Sequence, residues 1–318
     1  DDVLVTIAGA QIGKCGYVKA DHLPANTNQA VGIVRVHKTK AVPRYIYYFF
    51  KQPQTFSLIQ SMGAQAAQPN LNLTVLKGIE FPAPPLVVQQ RIASILSAYD
   101  DLIENNTRRI ALLEQAARLL YEEWFVRLRF PGSRAVGSAK ADGREHTRIV
   151  DGVPRGWDRG CVSDFYDTSS GGTPSRKNPD FFTGDILWVK TQELLNGFVT
   201  DTDEKITEEA LKISAAKLFP EKTVLVAMYG ATIGQLGIVA SPTTSNQACC
   251  AIMPRDPRTS FIHAFLFFRA NKEKLTSLSM GAAQRNINQQ IIRSFPMVMP
   301  SGILMEVFKE AMNPIFDQ

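Results

Sequence analysis

Residues 9–16, Gly-Ala-Gln-Ile-Gly-Lys-Cys-Gly, return as Gly-Ala-Thr-Ile-Gly-Gln-Leu-Gly at residues 230–237. A glycine-rich string containing Gly-Lys invites comparison with loops whose backbone N–H groups cradle phosphates. The spacing excludes that class. Such a loop needs four residues between its first Gly and the Gly-Lys pair, followed by Ser or Thr; here there are three, Cys15 follows, and Gln235 replaces Lys14 in the second copy. The Gly-x-Gly-x-x-Gly order of a dinucleotide fold is missing as well. Two readings stand: a hairpin turn in which Gly13 and Gly234 supply positive φ, or such a turn brought against a nucleic-acid backbone.

Outward from this string, residues 3–84 recur as residues 224–300. Val3-Leu4-Val5 matches Val224-Leu225-Val226, Asn28-Gln29-Ala30 matches Asn246-Gln247-Ala248, and Gln68 to Asn72 matches Gln284 to Asn288. Duplications of this kind override other readings of a chain, because each copy must build the same unit. The second copy has an upstream portion, about residues 150–221, with no counterpart before the first. The expected parent arrangement is therefore domain, long helix, domain, long helix, with this chain cut near both outer ends.

Between the copies lies the clearest structural signal. From Pro85 to about Arg129 the apolar residues Ile92, Ile95, Leu96, Tyr99, Leu102, Ile103, Ile110, Leu113, Ala117, Leu120 and Trp124 follow a spacing of three and four, which predicts one amphipathic helix of about 65 Å. Asn106 falls on the same stripe, where a polar residue weakens packing but fixes register. Six basic and six acidic residues share the segment, so it carries no net field to attract DNA. Pro84-Pro85 bars an earlier start and Phe130-Pro131-Gly132 ends it.

The expected domains are 1–84, the later part of a first domain; 85–131, the long helix; 132–155, a linker rich in Gly, Ser, Ala and charge; 156–300, the second domain; and 301–318, the start of a second helix. Within the second domain, Ile186–Val189, Val224–Met228 and Cys249–Met253 read as strands, and Glu208–Leu218 and Phe261–Leu278 as helices. The fold class is α+β, with mixed α/β domains joined by a long coiled-coil-type helix.

Composition agrees. The chain has 318 residues, a net charge of +5 and 45% hydrophobic residues, which suits about two globular domains and excludes disordered or collagen-like classes. Its four cysteines lack a Cys-x-x-Cys spacing, so neither a disulfide framework nor a zinc site is indicated, and a reducing cytoplasm is expected. No apolar run approaches the roughly 18 residues of a membrane span, and Asp1-Asp2-Val3-Leu4 shows no basic leader. The four histidines are scattered without ligand spacing. Asn178-Pro179-Asp180-Phe181 departs from the Asn-Pro-Pro-aromatic signature of amino-methyltransferases at Asp180, lacks an accompanying AdoMet loop, and reads as a turn. Asp185, Glu193 and Asp203-Glu204-Lys205 read as solvated surface charge.

Two polar clusters remain. Ser169 to Lys177 combines glycines, hydroxyls and two cations, suiting either phosphate and base-edge contacts or an ordinary surface loop. Gln284-Arg285-Asn286-Ile287-Asn288 and its partner Gln68 to Asn72 carry amides and an Arg that could read bases. Alternatively, Asn72 and Asn288 cap helices.

Repeat, helix and motifs together resemble the specificity (S, HsdS) subunit of a type I restriction-modification system. The resemblance rests on QQRIASILSAYDDLIENNTRRIALLEQAARLLYEEWFVRLRFPG (89–132), SGGTPSRKNPDFFTGDILWVKTQEL (170–194), GATIGQLG (230–237) and NQACCAI (246–252). It implies two target recognition domains held apart by antiparallel helices, each reading half of a bipartite site in double-stranded DNA. It also implies no catalytic site. The subunit would recruit modification (methyltransferase) subunits and restriction (translocase/nuclease) subunits, with AdoMet, ATP and Mg2+ on those partners only. Candidate DNA contacts are Thr173, Ser175, Arg176, Lys177, Lys190, Gln192, Tyr229, Gln235, Arg285, Asn286, Lys14 and Asn70; Arg176 is expected to matter for methylation and little for folding. Candidate interface positions are Ile92, Leu96, Tyr99, Leu102, Asn106, Ile110, Leu113, Leu120 and Trp124, open to a second S fragment. Two other readings are a truncated assembly fragment and the specificity portion of a fused restriction-methyltransferase polypeptide.

Overall fold

Alternation in Val3-Leu4-Val5-Thr6 builds a strand with Val3 and Val5 fully buried and Leu4 and Thr6 half-buried. The structure is a computed structural model that describes residues 1–63, 71–131, 149–150, 153–279 and 286–318. Its chain divides into two compact units, Asp1–Ile110 and Ala111–Gln318.

In the first unit, Val3–Thr6 is the centre of a three-stranded antiparallel sheet, flanked by Cys15–Tyr17 and Val31–Val34. Helices Pro43–Lys51 and Pro53–Gly63 follow, then the short helix Leu73–Lys77. Val3, Val5, Ile12, Ile46, Phe50, Ile59 and Leu71 form one core beneath the sheet.

The second unit repeats this motif in the same register. Val3 pairs with Tyr17 and Val34, and Val224 with Ile238 and Ile252; Val5 pairs with Cys15 and Gly32, and Val226 with Leu236 and Cys250. Here the sheet has five strands. Tyr166–Ser170 is added antiparallel outside Cys249–Pro254, and Gly197–Val199 parallel outside Leu236–Val239. The upstream portion also supplies a second core, so that Leu225 and Ala227 pack against Val189, Leu194, Val199 and Phe219 while Val224 and Val226 face the main core. That is why Val224–Ala227 is buried at every position and Val3–Thr6 only at alternate ones.

Three lengths differ from expectation. The long helix runs from Leu86 to Tyr121, 36 residues or about 54 Å, and then loosens into a π turn at Glu122–Val126 before Leu128 turns left-handed at φ 57°. The helix expected at 208–218 stops at Ile213, where Ser214 is extended and its hydroxyl accepts from the Ala216 N–H at 3.1 Å. The helix expected at 261–278 is two, Phe261–Ala270 and Lys272–Ser277, broken at Asn271, whose side chain donates to the Phe267 carbonyl at 2.9 Å.

The long helix is not packed uniformly. Gln89 and Ala93 are buried in the first unit, Ala117 and Tyr121 in the second, and every residue from Asp101 to Ile110 is exposed. Gln89 is tied at both ends of its amide: Oε1 accepts from the Val42 N–H at 2.9 Å and Nε2 donates to the Pro84 carbonyl at 2.8 Å. Ile149–Val150 and Val153–Pro154 pair antiparallel within the stretch expected to be a linker. Helix Gly302–Phe316 closes the chain, burying Leu304, Met305, Phe308 and Met312. Among the described residues no helix is long and apolar enough to cross a membrane.

Candidate nucleic-acid interface

The glycine-rich turn forms the same hairpin in both copies. Gly13 and Gly234 have φ of 86° and 74°, and their N–H groups donate to Thr6 and Ala227 at 2.9 and 3.0 Å. Lys14 of the first copy is exposed. Gln235 is half-buried, its Oε1 accepting from Asn196 Nδ2 at 2.6 Å while Asn196 Oδ1 accepts from the Leu236 N–H at 3.2 Å. The capping alternative holds for the second cluster: Asn72 Oδ1 accepts from Val75 N–H at 2.8 Å and Asn288 Oδ1 from Ile291 N–H at 2.9 Å.

The Ser169 to Lys177 cluster starts at the end of the strand Tyr166–Ser170 and continues as a loop with an anchored base and an exposed tip. Its two glycines serve close packing, not flexibility: a Cβ on Gly171 would lie 2.3 Å from the Ser245 carbonyl oxygen, and one on Gly172 2.1 Å from that of Ala215. Gly172 donates its N–H to Ser245 O at 2.8 Å and accepts from Trp188 Nε1 at 2.9 Å. Beyond it, the Thr173 hydroxyl donates to Gln247 Oε1, and Ser175, Arg176 and Lys177 are exposed. Asn178 Oδ1 then caps the 3-10 turn Pro179–Phe182, which buries Phe181.

Arg176 does more than project into solvent. Its guanidinium makes a two-pronged pair with Glu204, Nη1–Oε1 at 2.6 Å and Nη2–Oε2 at 2.8 Å, and lies over the rings of Phe182 and Trp188 at 4.1 and 5.0 Å. Lys190 Nζ reaches Glu204 Oε2 at 3.3 Å. Glu204 is therefore a hub and not a solvated surface charge. Hydrogen bonding to Arg176, with Lys190 adding to it, pulls its carboxyl down to about 2. No sequence spacing marks this pairing. Gln192 is exposed on the turn Thr191–Glu193, whose preceding N–H, on Lys190, donates to Glu193 Oε2 at 2.6 Å.

A second group lies at the hairpin turn. Tyr229 is 42% exposed and its backbone bridges that of the exposed Asn286. Asn70 and Arg285 lie outside the described residues. The structure thus joins Arg176 and Lys190 through Glu204, and Tyr229 with Asn286, while Thr173 and Gln235 are engaged by neighbouring amides. Ser175, Lys177, Gln192, Tyr229, Asn286 and Lys14 present donors, acceptors or an aromatic face to solvent, the groups that contact phosphates and base edges.

The helix candidates separate into two sets. Leu96, Tyr99, Leu102, Asn106 and Ile110 are exposed, and Ile92 and Leu113 half-buried. Leu120 and Trp124 pack into the core of the second unit, where Tyr121, Trp124 and Phe125 meet Phe308 and His263. The Phe125 and Phe308 centroids are 4.7 Å apart.

Residues 1–115 and 154–302 each match the family model described as the type I restriction modification DNA specificity domain. The specificity subunit of the type I restriction enzyme MjaIX of Methanocaldococcus jannaschii is 25% identical over 308 residues, covering 95% of this chain and 69% of that protein. The HindI specificity subunit of Haemophilus influenzae is also 25% identical, over 79% of this chain and 65% of its own length. A crystal structure of a type I restriction-modification S subunit from M. genitalium aligns with 99% of this chain and 77% of that one, at a TM-score of 0.55 and 14% identity, which is a likeness of fold.

Proposed function

From the premise that the chain belongs to the type I restriction-modification DNA specificity domain family, we propose that it is the non-catalytic specificity subunit of such a complex. It reads a bipartite target in double-stranded DNA, one half-site per recognition domain, in the cytoplasm. The observation that carries this reading is the double match, once over each copy of the internal repeat. Two like domains on one chain suit two like half-sites and two like modification subunits. Methyl transfer with AdoMet and ATP- and Mg2+-dependent translocation and cleavage are assigned to the modification and restriction subunits.

Within this reading, the exposed Lys177 and Lys14 contact phosphates, and Gln192, Asn286 and Tyr229 approach base edges. Arg176 and Lys190 are held by Glu204, so they present a positioned surface instead of mobile cations. The test is selection from a random duplex pool by the chain co-expressed with its modification subunit. Enrichment of a bipartite consensus is expected. No enrichment from a stable complex would overturn DNA reading and leave an assembly role.

A further inference from the structure

We propose that Arg176 reads a guanine in the half-site of the second domain, through the guanidinium edge formed by Nε and Nη2, with Glu204 as its positioning residue; the inference rests on the DNA-reading role proposed above and names the base that one loop selects. Arg176 and Lys177 are the two central residues of a tight turn, closed by the Asn178 N–H donating to the Ser175 carbonyl at 3.2 Å. Both ends of the turn are fixed: before it Gly172 is tied to Ser245 and to the indole of the buried Trp188, and after it Phe181 is buried. Glu204 is held just as firmly. Its carbonyl accepts from the Trp188 N–H at 3.2 Å and from the Thr202 hydroxyl at 2.6 Å, and the strand Lys205–Ile206 that follows it pairs with Ile186–Val189.

An arginine at the tip of a turn ordinarily swings freely, but this one has its plane set by Phe182 and Trp188, whose rings meet edge to face at 5.6 Å, and its end-on fork set by Glu204. A guanidinium carries donors on more than one edge. The pair with Glu204 takes one N–H from each Nη. Nε–H and the second N–H of Nη2 lie side by side on the adjoining edge, and neither meets an acceptor among the described residues, while the side chain is 52% exposed. Two parallel donors select their partner. Guanine presents O6 and N7 as adjacent acceptors in the major groove, whereas adenine sets a donor beside N7, thymine offers one acceptor and cytosine a donor. A phosphate also accepts twice, but charge draws it, and here the charge is already compensated. Glu204 stays ionised, its carboxyl pulled down to about 2, and Asp203 stands 3.8 Å from Lys190, so Arg176 and Lys190 face two carboxylates. What Arg176 retains is direction, the property that base reading uses, and the exposed Lys177 beside it is left to meet the phosphate.

The test is selection from a random duplex pool by the chain in complex with its modification subunit, run for the wild type, Arg176→Lys, Glu204→Gln and the double variant. The wild type should enrich a guanine at one position that Arg176→Lys relaxes, with the rest of the consensus kept, because an ammonium keeps the charge and loses the two-donor edge. Glu204→Gln should relax the same position, and the double variant should relax it no further than Arg176→Lys does. On the selected duplex, 7-deazaguanine at that position should weaken wild-type binding about tenfold, whereas inosine, which keeps O6 and N7, should bind as guanine does. A purely structural Arg176 would instead weaken every duplex alike and leave the preferred base in place. Guanine retained by Arg176→Lys would overturn the inference, and so would a shallower salt slope with an unchanged consensus, which marks a phosphate contact. A position relaxed by Arg176→Lys and untouched by Glu204→Gln would overturn the positioning role of Glu204. Failure of the wild type to enrich any sequence would overturn DNA reading itself and this inference with it, whereas a wild-type consensus unmoved by every variant would overturn this inference alone.

Discussion

At the scale of single residues, Arg176 changes the expectation most. An arginine in a Ser-Arg-Lys run reads as a phosphate contact, yet its fork is occupied by Glu204 and its plane by Phe182 and Trp188. Arg176→Ala should lower the stability of the second unit by about 1 kcal/mol, since the pair is half-exposed and screened but the stacking is lost as well. Arg176→Lys should recover little of it, because an ammonium cannot reproduce the two-pronged geometry. Urea unfolding followed by tryptophan fluorescence measures this directly: Trp124, Trp157 and Trp188 all lie in the second unit. Equal midpoints for wild type and Arg176→Ala would remove the structural role.

His263 offers a second test at the same scale. Burial lowers it to about 4, and its Nδ1 sits 3.1 Å from the Tyr166 hydroxyl among Tyr121, Phe125 and Phe308. A depressed folded value means that the unfolded chain takes up the proton first as pH falls. The second unit should therefore hold constant stability from this group above about 6.5, and lose it as pH falls from there to about 4. Between pH 7 and pH 5 the loss is about 2 kcal/mol. His263→Phe should flatten the difference between pH 7 and pH 5.5, where few carboxylates titrate; an unchanged slope would exclude His263 as its source.

At the scale of elements, the repeat predicts paired behaviour. Asn72 and Asn288 cap equivalent short helices with nearly equal geometry, so Asn72→Ala and Asn288→Ala should each cost about 1 kcal/mol in their own unit. The long helix should behave unevenly. Trp124→Ala, at the closure with Phe308, should cost about 3–5 kcal/mol, whereas Ile103→Asp, on a turn exposed all round, should change stability by less than about 0.5 kcal/mol. A comparable cost at Ile103 would mean that this stretch is covered in solution. Here the sequence was a good guide to kind and a poor one to extent. The three-and-four spacing revealed the helix, and the matching glycine-rich strings pointed to a hairpin turn in each copy. Where the helix loosens into a π turn at Glu122 depends on the aromatic cluster it enters, contributed by residues about 140 to 185 positions later, and periodicity carries no trace of that. Glu204 reads as solvated surface charge in the sequence for a similar reason, since its partners Arg176 and Lys190 lie on separate loops.

At the scale of the whole molecule, DNA reading should be strongly electrostatic despite a net charge of only +5. What counts is local exposure of cations: Lys177 and Lys14 are exposed, whereas Lys190 is 19% exposed and held by Glu204. Each lysine that meets a phosphate displaces a counterion, so affinity falls with salt at a logarithmic slope of about 0.9 per contact. Lys177→Ala and Lys14→Ala, measured in complex with the modification subunit, should each reduce that slope by about 1 while weakening all duplexes alike. Gln192→Ala and Asn286→Ala should leave the slope alone and relax the preferred sequence at one half-site, because amides read bases and release no ions. A slope unmoved by both lysine substitutions would shift the phosphate contacts elsewhere on the chain. A relaxed half-site after Gln192→Ala with the other half-site unchanged would tie that residue's reading to the second copy alone, as expected if the two recognition domains read independently.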